Sequence, residues 1–107
     1  MNVYRQGDVL FMPIEKSEIP EKVKEKQTRL IRSGEYGGKH QLESNNKKDS
    51  KYGTIVEDEK NKTKYIITET GVGIVHGEHN RLDLPPGEYR VVVQREINKG
   101  QLRYVMD

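Results

Sequence analysis

The chain contains no cysteine. Disulfides, thiolate catalysis and cysteine-ligated zinc are therefore excluded, and the missing disulfide framework fits an intracellular setting. Excess charge is scarce too, with 19 Lys and Arg against 17 Asp and Glu leaving a formal net charge of +2. So neutral a balance gives no general attraction to nucleic acid, although a local basic patch is compatible with it. Hydrophobic residues make up only 32% of the chain, and no run of them approaches a membrane span. Met1-Asn2-Val3-Tyr4-Arg5 lacks the apolar stretch of a signal peptide. The expectation is a cytoplasmic protein without membrane association. Two catalytic signatures are missing as well: no Gly-x-Ser-x-Gly elbow and no Gly-x-x-x-x-Gly-Lys-Ser/Thr phosphate loop occurs.

What is present is a set of short apolar runs spaced by turn residues, enough for one domain over residues 1–107. Asp8 to Ile14 is nearly continuous apolar sequence, too short for an ordinary helix, and reads as a buried strand with Pro13 at its edge or end. Glu15 to Lys26 alternates charges around Ile19-Pro20 and reads as a solvated connection, with a short helical turn after Pro20 as the alternative. Leu30 and Ile31 mark a short strand. Thr54–Glu57 and Lys64–Thr70 flank the polar cluster Asp58 to Lys62, the pattern of a β-hairpin. Val72 to His76 forms a further strand with Val72, Ile74 and His76 on one face. Arg81 to Leu84 is another, ending at the Pro85-Pro86-Gly87 turn. Tyr89 to Ile97 places Tyr89, Val91, Val93, Arg95 and Ile97 on a common face, with Arg95 breaking its apolar run, and Leu102 to Met106 closes the chain as a last strand. The fold expected is all-β, a small antiparallel barrel or sandwich of about seven strands with little helix. A long loop around 34–53 interrupts it, with Gly34–Glu43 ordered and Asn45–Lys51 mobile.

The blocks Gln6-Gly7-Asp8-Val9, Gly38-Lys39-His40, His76-Gly77-Glu78-His79, Leu84-Pro85-Pro86-Gly87-Glu88-Tyr89-Arg90-Val91 and Gln94-Arg95-Glu96 resemble a family of small, functionally uncharacterised proteins of prokaryotes and their viruses or mobile elements. The resemblance spans most of the chain and brings no established activity with it. Members of that family often carry a second histidine near the mid-chain block, where Gly37 or Lys39 stands here.

All three histidines lie in two of these blocks. Neutral imidazole is a common ligand for zinc and other divalent metals. His40, His76 and His79 would supply three nitrogens, and Glu78 or Glu43 a fourth ligand or general base. In that case the class of reaction is metal-assisted hydrolysis, with Glu78 acting on bound water. On a regular strand residues three apart face opposite ways, so His76 and His79 meet only if Gly77 bends the chain. Otherwise His76 and His79 hydrogen-bond loop backbone and His40 sits on a flexible surface. A second class of function also fits: a non-catalytic protein- or nucleic-acid-binding or assembly module of a virus or mobile element, associating with itself through sheet edges.

Overall fold

The computed structural model describes residues 2–33, 39–44 and 53–94. Ten strands run through them: β1 (Tyr4–Gln6), β2 (Val9–Ile14), β3 (Val23–Lys26), β4 (Leu30–Ser33), β5 (Lys39–Ser44), β6 (Thr54–Asp58), β7 (Lys64–Thr68), β8 (Val72–Val75), β9 (Leu82–Leu84) and β10 (Gly87–Val93). A 3-10 turn, Lys16–Glu18, precedes Pro20 rather than following it. The strands form a six-stranded sheet in the order β1-β2-β10-β7-β6-β3 and a four-stranded sheet in the order β4-β5-β8-β9. Every pairing is antiparallel. The fold is all-β as expected, and of the two architectures it is the pair of sheets, not a closed barrel.

Alternation along the strands builds the core. In the larger sheet Val9, Phe11 and Pro13 stand opposite Val93, Val91 and Tyr89, Tyr89 opposite Ile66, and Ile66 opposite Ile55. In the smaller sheet Leu42 faces Ile74 and Val72 faces Leu84. Val9, Phe11, Ile55, Ile66, Tyr89, Leu42, Val72, Ile74 and Leu84 belong to one buried core, so both sheets turn these faces inward. Each such side chain, fully withdrawn from water, stabilises the fold by about 1.5–3 kcal/mol. Pro13 is tolerated because β1 ends its pairing at Phe11, leaving β2 without a neighbour on that side at Pro13.

Three strands depart from the sequence expectation. β1 and β3 carry too few apolar residues to register as strands, and β3 (Val-Lys-Glu-Lys) is a charged edge, which suits an edge strand. β5 occupies part of the expected loop 34–53: Lys39 to Ser44 is strand, with His40 and Leu42 buried and Lys39 and Glu43 exposed. The remainder of that loop, the faces assigned to Arg95 and Ile97, and the expected strand Leu102–Met106 lie outside the described residues.

Candidate functional site

Register brings the first two histidines together. β5 and β8 pair Gln41 with Val75 and Leu42 with Ile74. One step beyond the last pair, His40 stands across from His76, and their ring centroids are 4.4 Å apart. The chain then bends through Gly77 and Glu78 and returns His79 to the same place. The His76 and His79 centroids are 4.6 Å apart, and those of His40 and His79 are 6.4 Å apart. The bend that the sequence makes optional is therefore present.

His79 is seated on Gly7. A Cβ at Gly7 would lie 2.7 Å from His79 Nε2, and Gly7 has φ +61. The left-handed backbone favours glycine there, and a Cβ would also press on the ring of the exposed His79. The turn that Gly7 makes between β1 and β2 also presents Gln6 and Asp8 to the histidines.

Gln6 is buried and fully used. Its Nε2 donates to Ile74 O at 2.8 Å and to Asn80 O at 2.9 Å. Both partners are carbonyls that can only accept, so the amide orientation is fixed and Oε1 faces His40 Nδ1, 2.9 Å away. His40 must then donate from Nδ1, and in the neutral ring Nε2 carries the lone pair. That Nε2 lies 3.6 Å from Asp8 Oδ1. His40 is 1% exposed, which overturns its expected place on a flexible surface. Burial holds its pKa below the ordinary histidine value; the neighbouring His76 pushes the same way, and Asp8 opposes both.

His76 is engaged differently. The Glu78 backbone N–H donates to His76 Nδ1 at 3.0 Å, so a neutral His76 carries its proton on Nε2. This is the loop-backbone bond that the alternative role for the histidines anticipates. Glu78 itself is exposed. Glu43 is also exposed and turns away from the histidines to pair with Arg81, which further pairs with Asp83 at 2.9 Å. Among the described residues, no three or more His, Asp or Glu side chains stand with their donor atoms placed to hold a metal ion as they lie.

Three residues at this place are not among those the sequence singles out: Gln6, Asp8 and Arg32. Arg32 arrives through an irregularity in β4. Leu30 pairs with Gln41 and Arg32 with His40, leaving Ile31 as an extra residue. Such a bulge re-aims side chains. Ile31 enters the core, and Arg32 Nε comes to 4.0 Å from Asp8 Oδ2. Gln6-Gly7-Asp8 did lie in a block carrying the family resemblance, yet alone it reads only as a turn. No sequence signal marks Arg32.

The class these features define is a small antiparallel two-sheet domain with a buried, glutamine-held histidine beside two others at one end. The chain belongs to the family described as a domain of unknown function, DUF8820, whose model matches residues 5–94. All three histidines, Gln6, Asp8 and Arg32 fall inside that match. No curated protein and no solved structure matches the chain.

Proposed function

We propose that His40, His76 and His79 bind a divalent metal such as zinc, with Asp8 as the carboxylate of the site. One observation carries this. His40 Nε2 and Asp8 Oδ1 face each other across 3.6 Å, and with Nδ1 holding the proton both present electron pairs. A cation between them relieves that opposition, and two ligands of one tetrahedral zinc lie roughly 3.3 Å apart. Three imidazoles around such an ion would have centroids roughly 5 Å apart, and the observed spacings of 4.4, 4.6 and 6.4 Å bracket that value. The depressed pKa of His40 keeps it a neutral ligand at physiological pH. Gln6 supplies the outer hydrogen bond that metal-bound histidines commonly make.

Binding requires a rearrangement. His76 must release the Glu78 N–H in either case: Nδ1 binds the ion itself, or it takes the proton from Nε2 and leaves Nε2 to bind. Asp8 takes the role the sequence gives to Glu78, because its carboxylate already stands beside His40 while Glu78 is exposed. With Asp8 as the fourth ligand a tetrahedral site is closed, so metal-assisted hydrolysis would require Asp8 to give up its place to water and serve as the base beside it.

The test is elemental analysis and zinc titration of untagged protein, repeated on a His76→Ala, His79→Ala double variant. Near one equivalent of metal, lost in the double variant and accompanied by a shift of the Glu78 amide resonance, is expected. A wild type that is metal-free and ignores added zinc, nickel and manganese would sink the assignment.

A second role is favoured by a different observation, the satisfied hydrogen bonds of Gln6 and His76. In it the histidines only lock β1 to β5 and β8. The domain is then a non-catalytic binding or assembly module, as the resemblance to proteins of viruses and mobile elements would accommodate.

A further inference from the structure

A cavity of about 220 Å3 opens between β4, β10 and the turn joining β6 to β7, and Arg32 forms part of its wall. Its apolar side is Ile31, Val91 and Val93; its polar side carries three cations, Arg32, Lys62 and Lys64. Among the described residues no carboxylate lines it.

Lys64 is held in place, and the Lys62 backbone is fixed by its turn. Lys64 Nζ donates to Ile31 O at 2.7 Å, which spans from one sheet to the other and leaves two ammonium protons for other partners. Glu57 lies opposite Lys64 in the register but pairs with Lys26 at 3.4 Å. Arg32 Nε is buried and makes no hydrogen bond among the described residues; Asp8 Oδ2 lies 4.0 Å from it. Lys62 has a positive φ of 64°. Its turn is fixed by Lys62 N–H donating to Asp58 O at 2.8 Å and by Thr63 N–H donating to Asn61 Oδ1 at 3.0 Å. Three like charges around one opening repel each other, and an anion between them offsets that repulsion.

We propose that this cavity binds a small organic oxyanion, a carboxylate or a phosphate ester. Its charged group is held by Arg32, Lys62 and Lys64, and its apolar body lies on Ile31, Val91 and Val93. The volume is below that of most drug-sized sites, which limits the body to a few carbons. Arg32 connects the cavity to Asp8 and, through it, to His40. A ligand anchored here points toward the histidines, so the oxyanion is a feature of their substrate; that extension rests on the metal site proposed above, whereas binding to the cavity does not.

The experiment is a 15N–1H NMR titration of metal-free protein with butyrate, butyl phosphate and inorganic phosphate. Saturable shifts at residues 31–32, 62–64, 91 and 93 are expected, with butyrate or butyl phosphate binding more tightly than inorganic phosphate. Which of the two is tighter identifies the head group. Lys62→Glu, an exposed change that spares the core, weakens binding about tenfold, a loss of ~1.4 kcal/mol. Lys64→Met weakens it further, and His76→Ala with His79→Ala leaves it intact. No saturable shift at these amides, or unchanged affinity in Lys62→Glu and Lys64→Met, overturns the proposal. Cavity binding in a protein that takes up no metal upholds the cavity and removes only the metal site.

Discussion

Gln6 Oε1 and His40 Nδ1 meet at 2.9 Å in the interior, a bond joining residues 34 positions apart and linking the first strand of one sheet to the second strand of the other. Because Gln6 also satisfies two backbone carbonyls, it decides where the proton of His40 resides.

Gln6→Ala strands the Ile74 and Asn80 carbonyls and the His40 N–H together. A loss of about 2–4 kcal/mol is expected, measured by urea unfolding. Gln6→Glu places a carboxylate on Nδ1 instead and raises the affinity of His40 for protons. NMR titration of the His40 ring should show its midpoint move upward from that of the wild type; an unmoved midpoint would remove Gln6 from control of this histidine.

Two glycine substitutions should differ sharply. Gly7→Ala meets both a left-handed φ and His79 Nε2 at 2.7 Å, so it should cost about 1–3 kcal/mol and shift the His79 resonances. Gly73→Ala would press its methyl against the Arg81 guanidinium. That guanidinium ends a long, flexible and exposed side chain, so it can swing aside. The exposed pairs with Glu43 and Asp83 are worth little, and the change should cost under about 1 kcal/mol. Thermal unfolding of the two variants side by side decides; equal losses would contradict the difference in backbone strain.

Tyr89 O–H donates to Pro85 O at 2.6 Å. Burial, and after it the neighbouring Tyr4 and Glu88, raises the phenol pKa above its ordinary value. The folded state then holds this proton more tightly than the unfolded chain. The corresponding stability is fully present below the unfolded pKa of about 10 and is lost as pH rises through the higher folded value. Tyr89→Phe should cost about 1 kcal/mol at neutral pH and flatten the alkaline decline. An alkaline limb as steep as that of the wild type would show that other groups govern it.

Ile66 is fully buried at the centre of the larger sheet, opposite both Ile55 and Tyr89. Ile66→Val should cost about 0.5–1.5 kcal/mol and Ile66→Ala about 2–5 kcal/mol. Chemical denaturation of the two variants measures the series.

Residue pattern by itself determined the all-β class, the β6–β7 hairpin around Asp58 to Lys62, and the inward faces of β8 and β10. These follow from local alternation and turn chemistry, which a strand carries in its own residues. It also drew attention to the three histidines. β1, β3 and β5 escaped because edge pairing and partial burial make strands of sequences with little apolar alternation of their own. Only tertiary structure decided that His40 is buried, since a lone imidazole between Lys39 and Gln41 is equally at home in water. The same holds for Gln6, Asp8 and Arg32. Their places depend on a sheet register, a left-handed glycine and a bulge that join segments far apart in the chain, and no local spacing encodes a contact whose partner is more than twenty residues away.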